Sequence, residues 1–219
     1  MNFPLSPRFQ AVLFDMDGTL LDTLSDMRDA VNHILLENGW PQRTLEEIRA
    51  FVGNGAAKLM ERAIPEPIAP QRFHEILSTY KDWYQAHNCV KTAPYPGIPE
   101  VLAELEKMGV KTAVVSNKPD ATTKALAEKF FPGMPALGQR DGVDPKPSPA
   151  LVAQALSALG VRPENAVYVG DSEVDVATAR NAGLDMIGVA WGFRGRAALE
   201  AAGAPLVADT PEQLLDMLQ

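Results

Sequence analysis

Two aspartates directly follow a short apolar run near the start of this 219-residue chain. The run Ala11–Phe14 is typical of a strand buried on both faces, and Gly18 after the second aspartate permits a sharp turn. Because side chains alternate along a strand, Asp15 and Asp17 are expected to lie on the same side. Two carboxylates this close repel each other and resist desolvation. They therefore predict a cation between them, or access of water to both. An ordinary Asp-Gly turn closing a strand is the alternative, and the whole motif with its preceding strand argues against it.

A second acidic pair lies in the segment Gly-Asp-Ser-Glu-Val-Asp, residues 170–175. Asp175 follows Ser172 by three residues, which is capping-box spacing, so helix capping is an alternative role for it. Asp171 lies before the predicted helix. With the first two aspartates, these residues would form an oxygen-rich site suited to Mg²⁺, which takes one or two carboxylates, water and substrate phosphate. We predict that Mg²⁺ binds there, and activity that survived thorough EDTA treatment would contradict this.

Groups suited to an anion occur at two further places. Lys146 follows an irregular loop that contains Gly and Asp, and an acidic site that binds phosphate needs a fixed positive charge. Ser116 offers a hydroxyl at the end of a predicted strand, and the amides after it can face phosphate at a helix N-terminus. Taken alone, a surface lysine and ordinary turn chemistry would also account for these residues.

The predicted elements bring these residues to one edge of a sheet. Strands are predicted at about 10–15, 110–115, 135–137, 166–169, 186–190 and 205–208. They alternate with helices predicted at 98–108, 120–130, 148–159, 172–183 and 211–218. This alternation indicates an α/β fold with an open, parallel, Rossmann-like sheet. Such sheets bind ligands beyond the carboxyl ends of their strands, which is where the candidate residues lie. Residues 1–8 are predicted to form an irregular arm.

The segment between the first two long strands contains only helical patterns, at about 24–38, 44–50, 56–64 and 71–88. Thr44 and Glu47 have capping-box spacing at the start of one of these helices. A stiff Pro-rich linker follows at 92–97. We therefore predict an α/β core of residues 1–21 and 92–219, with an inserted all-helical lobe, called the cap, at residues 22–91.

The composition excludes several classes of partner. Apolar residues make up 46% of the chain and charged residues 22%, as in an ordinary soluble globular protein. A net charge of −8 gives no general attraction for nucleic acid or anionic membranes. No stretch approaches the ~20 apolar residues of a spanning helix. The single cysteine, Cys89, rules out an intrachain disulfide and fits a reducing compartment. We expect a cytoplasmic monomer or homodimer without nucleic-acid or membrane partners.

Four segments of the chain together resemble the haloacid dehalogenase-like (HAD) phosphohydrolases. They occur in the order typical of that family: the motif D-x-D-G-T at residues 15–19, Ser-Asn-Lys at 116–118, Lys-Pro at 146–147, and Gly-Asp-Ser-Glu-Val-Asp at 170–175. The resemblance covers nearly the whole chain. It implies a phosphatase whose catalytic groups come from these four segments.

The resemblance also implies a role for each catalytic residue. Asp15 attacks phosphorus and becomes an aspartyl-phosphate, and Asp17 protonates the leaving oxygen and then takes a proton from water. Ser116 and Lys146 hold the transferring phosphoryl group, and Asn117 is expected beside the substrate. A carboxylate is a weak nucleophile, so a metal ion and a lysine must offset the repulsion from an anionic phosphate.

The resemblance implies that Mg²⁺ is held by the carboxylate of Asp15, the backbone carbonyl of Asp17, and Asp171. Asp175 completes the predicted metal set, either as a ligand or as a supporting group around the ligands.

In this family, an insert at the position of the cap closes over the site and selects the substrate. Gly53, Asn54 and Gly55 form the cap segment expected to meet the substrate, because glycines permit close approach of the backbone. A plain turn between helices is the alternative. Lys58 and Arg62 follow at helical spacing, either as contacts for a substrate carboxylate or as solvent-exposed residues.

Segments 51–55, 59–63, 95–97 and 115–118 look like those of bacterial phosphoglycolate phosphatases, so 2-phosphoglycolate is the expected small-molecule substrate. The loop before Lys146 is short for that group. Alternatives are another sugar-phosphate or nucleotide phosphatase, or a β-phosphoglucomutase-like phosphomutase that returns the phosphoryl group to a sugar. Phosphate release without added bisphosphate would distinguish hydrolase from mutase. A non-catalytic binding protein is a further alternative, which the intact set of catalytic residues argues against.

Overall fold

A computed structural model describes residues 8–219, so nearly all of the arm predicted at 1–8 lies outside the described residues. The strands, in chain order, are β1 Ala11–Phe14, β2 Leu21–Asp22, β3 Ala93–Pro94, β4 Lys111–Pro119, β5 Ala136–Gln139, β6 Ala166–Gly170, β7 Asp185–Val189 and β8 Leu206–Ala208. Six of them form one parallel sheet in the order β5-β4-β1-β6-β7-β8. The predicted α/β class with an open parallel sheet is confirmed.

Helices cover both faces of this sheet, which is why β1 is apolar throughout. The core helices are α5 Ile98–Lys107, α6 Asp120–Phe130, α7 Ala150–Leu159, α8 Glu173–Ala182, α9 Arg196–Ala201 and α10 Pro211–Leu218. Val12 and Phe14 join the buried cluster on one face, whereas Ala11 and Leu13 join the cluster on the other. All four are fully buried, as expected for the central strand of a parallel sheet.

The cap helices are α1 Leu24–Glu37, α2 Leu45–Phe51, α3 Gly55–Ala63 and α4 Pro70–His87. Their apolar residues form a third buried cluster, which includes Val31, Ile34 and Tyr84. The Thr44–Glu47 capping box is present in both directions, so the start of α2 follows the expected chemistry. None of the helices in residues 8–219 has the length and apolar character needed to cross a membrane.

The chain enters and leaves the cap through a two-stranded antiparallel ribbon. Leu21 pairs with Pro94, and Asp22 pairs with Ala93. The expectation that residues 22–91 are only helical is therefore wrong at its first residue, since Asp22 belongs to β2. Two-residue strands leave no periodic pattern in a sequence. The domain boundaries at 21/22 and 91/92 stay a prediction, and the ribbon lies next to both.

Two further differences concern the core. The predicted strand 110–115 continues to Pro119, so the polar segment Ser-Asn-Lys at 116–118 is extended and buried. The short helix α9 was not predicted. In contrast, α6 and α10 have the predicted bounds, 120–130 and 211–218.

Candidate active site

The candidate residues meet at the carboxyl ends of β1, β4 and β6. Phe14, the last residue of β1, is level with Val114 in β4 and Val169 in β6. The next residue, Asp15, donates its backbone N–H to the carbonyl of Val169 at 2.9 Å. Its Oδ1 accepts a hydrogen bond of 2.7 Å from the backbone N–H of Met16. The sheet register therefore brings Asp15 beside Ser116 and Asp171, which follow the paired strand residues.

Lys146 is buried and lies between two of the predicted acids. Its Nζ is 2.9 Å from Oδ1 of Asp15 and 2.7 Å from Oδ1 of Asp175, and it donates to the Tyr168 hydroxyl at 3.0 Å. The Tyr168 hydroxyl in turn donates to the carbonyl of Val115 at 3.0 Å, which leaves its oxygen free to accept. This network holds the ammonium group against the predicted nucleophile.

Asn117 holds the backbone of Lys146 by two hydrogen bonds. Its Oδ1 accepts from the Lys146 N–H at 2.7 Å, and its Nδ2 donates to the Lys146 carbonyl at 3.0 Å. A third, longer bond of 3.4 Å reaches the carbonyl of Gly53 in the cap. Asn117 also lines the cavity described below. Contact between Asn117 and the substrate stays a prediction, whereas its bonds to the Lys146 backbone are present in the structure.

Oxygen atoms of Asp15, Asp171 and Asp175 all lie within 4.8 Å of one another, in a buried group that could hold a metal ion. Oδ2 of Asp171 accepts from the Phe193 N–H at 2.7 Å. Glycines make room around this carboxylate, since a Cβ at Gly18 would lie only 2.4 Å from its Oδ2. Three of the four predicted metal ligands are thus brought together.

Asp175 has both oxygens engaged by protein groups. Oδ1 pairs with Lys146, while Oδ2 accepts from the Ser172 N–H at 3.1 Å and from its hydroxyl at 2.6 Å. The Ser172–Asp175 capping box that the spacing suggested is present in both directions. Direct metal ligation by Asp175 stays a prediction, and these bonds favour a supporting role.

Burial dominates the electrostatics of these acids. It raises the pKa of Asp15 to about 7; Lys146 opposes the shift, and Asp175 and Asp17 add to it. Burial likewise raises the pKa of Asp171 well above its usual range, with repulsion from Asp175 and Asp15 adding to the effect. Burial works against the charge of Lys146, but Asp15 and Asp175 outweigh it and raise the pKa of that ammonium group.

Asp17 faces a second lysine, Lys118, for which the sequence motifs predict no role. The Lys118 Nζ is 2.9 Å and 3.0 Å from the two carboxylate oxygens of Asp17 and donates to the Tyr84 hydroxyl of the cap at 2.7 Å. Thr23 donates its hydroxyl to Oδ1 of Asp17 at 2.8 Å. Lys118 reaches the site because β4 continues to Pro119, a continuation that its polar residues conceal.

Among the described residues around the predicted metal site, carboxylates outnumber ammonium groups. Four carboxylates, those of Asp15, Asp17, Asp171 and Asp175, face the two ammonium groups of Lys118 and Lys146. A divalent cation would supply the missing charge, and a set of carboxylate oxygens is what Mg²⁺ prefers. The donor chemistry and the raised pKa values of Asp15 and Asp171 therefore fit a magnesium ion.

A cavity of about 270 Å³ lies over these groups, between the core and the cap. Asp15, Asp17, Ser116 and Lys118 belong to its core side. The cap contributes mainly apolar and aromatic residues: Met27, Val52, Ala56, Leu59, Tyr80 and Tyr84. The cap side also includes the polar residues Lys81, Asp82 and Gln85. The cavity therefore has a charged core side and a mainly apolar cap side, an arrangement that can exclude water from a reacting group.

Two of the three predicted cap contacts line this cavity, namely Gly53 and Gly55. Asn54 lies outside the lining, and its Oδ1 accepts a hydrogen bond of 2.9 Å from Arg62. Arg62 also donates to the Phe51 carbonyl at 2.6 Å, while Lys58 forms an exposed pair with Glu61. The structure thus gives Lys58 and Arg62 partners within the cap.

The chain is similar to known phosphatases in sequence and in structure. Residues 12–189 match the family described as haloacid dehalogenase-like hydrolases. The chain is 33% identical over 222 residues to a phosphoglycolate phosphatase of Pseudomonas putida, covering 95% of this chain and 76% of that protein. It is 33% identical over 215 residues to an N-acetylmuramic acid 6-phosphate phosphatase of Pseudomonas aeruginosa, covering 96% of this chain and 95% of that protein.

A crystal structure from Lactobacillus delbrueckii subsp. bulgaricus has a TM-score of 0.90 and 36% sequence identity, and the match covers 96% of this chain and 98% of that one. The similarity therefore includes the cap as well as the core. The chain belongs to the haloacid dehalogenase-like hydrolases, and it is a phosphoric monoester hydrolase similar to the phosphoglycolate phosphatases.

Proposed function

We propose that this phosphatase hydrolyses 2-phosphoglycolate through an aspartyl-phosphate on Asp15, with Mg²⁺ as its cofactor. The observation that carries the mechanism is the buried contact of 2.9 Å between Lys146 and the carboxylate of Asp15, a residue that lines the cavity. A carboxylate becomes an effective nucleophile towards an anionic phosphate only where fixed positive charge offsets the repulsion.

In the first step, a carboxylate oxygen of Asp15 bonds to phosphorus while the bond from phosphorus to the leaving oxygen breaks. Asp17 donates a proton to that oxygen. Lys146 and Ser116 bind the phosphoryl oxygens through both steps. Water then attacks phosphorus and gives its proton to Asp17, which releases inorganic phosphate and restores the Asp15 carboxylate. Mg²⁺ held by Asp15 and Asp171, with the carbonyl of Asp17, would neutralise the phosphoryl charge when bound.

Lys118 supports a substrate whose leaving group carries a carboxylate. In the proposed mechanism, Asp17 donates a proton to the leaving oxygen, and the Lys118 ammonium group is 2.9 Å from Asp17. The ammonium group is therefore close to the part of the substrate that is attached to the leaving oxygen. The carboxylate of 2-phosphoglycolate lies one carbon away from its ester oxygen, so it is within reach of a cation at this position. The similarity to the phosphoglycolate phosphatase of Pseudomonas putida supports the same substrate.

A second candidate is N-acetylmuramic acid 6-phosphate, the substrate named for the Pseudomonas aeruginosa relative. The apolar cap side of the cavity, with Met27, Leu59 and Tyr80, offers more contact surface than glycolate can use. This sugar phosphate also carries a carboxylate, in its lactyl group. The two candidates therefore share a carboxylated phosphate ester and differ in size.

The test is phosphate release from a panel of esters with Mg²⁺ and without added bisphosphate. The panel includes both candidates and 2-hydroxyethyl phosphate, called the neutral ester here because its leaving group has a hydroxymethyl group in place of the carboxylate of 2-phosphoglycolate. Asp15→Asn should lower turnover at least roughly 10³-fold on every ester. Lys118→Met should reduce the preference for 2-phosphoglycolate over the neutral ester roughly 10- to 100-fold. An unchanged preference would exclude the assigned role of Lys118, and full activity of Asp15→Asn would exclude the mechanism.

We also propose that residues 22–91 act as a cap that opens and closes over a core of residues 1–21 and 92–219, and that the protein works in the cytoplasm as a monomer or homodimer. The ribbon β2–β3 beside both boundaries supports the division, because both connections run through one narrow element. Sedimentation at several protein concentrations would determine the oligomeric state.

A further inference from the structure

The loop between β7 and α9 contacts the acidic site and the cap at the same time. The backbone N–H of Phe193 donates to Oδ2 of Asp171, and the Phe193 side chain packs against the buried cluster of the cap. Trp191, earlier in the loop, donates its Nε1–H to the carbonyl of Thr19 at 3.1 Å. This loop is therefore fixed on the core beside the metal-binding acids while its next residues reach across to the cap.

Arg194 makes the polar part of this contact. Its Nη1 donates to the carbonyl of Arg49 and its Nη2 to the carbonyl of Val52, both at 2.6 Å. Its Nε donates to Glu173 of α8 at 3.2 Å, which orients the guanidinium group from the core side. The side chain is 16% exposed. A cation at these carbonyls also complements the C-terminal end of α2.

The carbonyls that Arg194 binds lead directly into the cap segment over the site. Val52 precedes Gly53, and a Cβ at Gly53 would lie 3.3 Å from Nη2 of Arg194. The other bond described above between this segment and the core, from Asn117 to the Gly53 carbonyl, is 3.4 Å long. Arg194 thus provides two short polar bonds between the core and the cap segment that leads into Gly53, a residue that lines the same cavity as Asp15.

We propose that Arg194 is a positioning residue that holds the cap closed by binding the carbonyls at the end of α2. These bonds cross from core to cap, so they form when the cap closes and break when it opens. They therefore stabilise the closed state alone, and their loss lowers its population. The proposal rests on the proposed function in one respect, since it requires a cap that opens to exchange substrate and product.

The steady-state test compares Arg194→Met with Arg196→Met, using 4-nitrophenyl phosphate so that the result is independent of the natural substrate. Arg196 is a matched control, because its guanidinium bonds Asp209, Glu200 and the Val207 carbonyl, all within the core. If bound substrate and transition state both require the closed cap, Arg194→Met should raise KM about tenfold and leave kcat unchanged or higher. Arg194→Lys, which can reach one carbonyl but not both, should give a smaller rise.

The second readout is hydrogen exchange without substrate. Backbone amides of residues 52–56 should exchange about tenfold faster in Arg194→Met than in wild type or Arg196→Met, while amides of β1 and β6 stay unchanged. Equal exchange and equal KM in the two variants would overturn the proposal, as would a loss of kcat at constant KM. If wild type hydrolysed no phosphate ester, the proposed function would fail, yet the exchange comparison would still test whether Arg194 holds the cap.

Discussion

Lys146 is the positively charged partner of two buried carboxylates in the site. It contacts Asp15, Asp175 and Tyr168, and its own side chain is only 2% exposed. Removing one partner of a buried ion pair is costly because the other charge stays buried without compensation. Here two carboxylates would lose their common partner. The residue that binds phosphate in the proposed mechanism is therefore also a structural residue of the free protein.

Lys146→Met should destabilise the protein by about 3–5 kcal/mol, measured by urea unfolding at pH 8 without metal. The loss should be smaller at pH 5, because Asp15, whose pKa is about 7, is protonated there. Lys107→Met is the control, since Lys107 is 69% exposed in its surface pair with Glu104. Equal stability of the two variants at pH 8 would contradict the role given to Lys146.

Asp171→Asn should stabilise the metal-free protein, in contrast to Lys146→Met. Burial and neighbouring carboxylates disfavour the charge of Asp171, whereas an amide at this position can still accept the hydrogen bond from Phe193. The melting temperature should rise by about 2–4 °C for each 1 kcal/mol gained. Addition of Mg²⁺ should then raise the melting temperature of wild type but not of the variant.

Thermal unfolding in EDTA and in Mg²⁺ measures both effects, with Asp216→Asn on the exposed side of α10 as the control. A magnesium-induced shift that persisted in Asp171→Asn would remove this residue from the predicted ligands.

At the scale of elements, α1 and the linker after α4 are joined by one carboxylate. Asp26, in the first turn of α1, is 2% exposed and accepts from the backbone N–H groups of Val90, Lys91 and Thr92. The Thr92 hydroxyl also donates to it, at 2.8 Å. These bonds fasten the returning chain to the start of the first cap helix, next to the ribbon β2–β3.

Asp26→Ala should cost about 3 kcal/mol or more, because several linker amides lose a charged acceptor at once. The amides of Val90, Lys91 and Thr92 should exchange faster with solvent, which hydrogen exchange measures residue by residue. Asp29→Ala is the matched control, since Asp29 lies on the same helix and pairs with Arg28 and Lys91 near the surface. Unchanged exchange at the three amides would contradict this role of Asp26.

Elements with a strong local signal were predicted well. The helix α6 starts directly after Pro119, and α7 and α8 end directly before Gly160 and Gly183, whose φ angles of +64° and +69° favour glycine. The strands β2 and β3 were missed because their pairing joins residues more than 70 positions apart and each has only two residues. No local pattern records such a contact.

The candidate site likewise contains residues whose placement follows from a sequence pattern and residues whose partners leave no such pattern. The convergence of Asp15, Ser116 and Asp171 follows from the rule for parallel sheets, so the sequence was enough to expect it. The partners of Lys118 and Arg194 could not be predicted from the sequence. Lys118 lies in a polar continuation of a strand, and Arg194 binds backbone carbonyls, which have no sequence signature.

At the scale of the whole molecule, residues 8–219 contain three buried clusters, two on the faces of the core sheet and one within the cap. Elements that share a cluster tend to open together, and separate clusters can open at different free energies. The cap cluster is connected to the core through the ribbon, the β7–α9 loop, the segment around Gly53 and the hydrogen bond from Lys118 to Tyr84. The central strand β1 is covered on both faces and flanked by two strands.

We therefore expect the cap to unfold locally before the core. In native-state hydrogen exchange at low urea, amides of α3 and α4 should exchange at a free energy below that of β1 by about 2 kcal/mol or more. The amides of β1 should exchange only through global unfolding. A single free energy of opening for cap and core amides would contradict this division.

The ribbon β2–β3 has a consequence for how such a chain can be altered. Because Leu21 pairs with Pro94 and Asp22 with Ala93, the backbone leaves the sheet and comes back at neighbouring positions. The residues between these two pairs therefore form one inserted segment whose two ends are already held together by the ribbon. The entropic cost of closing an inserted segment grows only with the logarithm of its length. A shorter, longer or foreign helical segment inserted at this point should leave the carboxylates and lysines of the core assembled. We therefore expect such an exchange to change the substrate preference and to keep the chemistry.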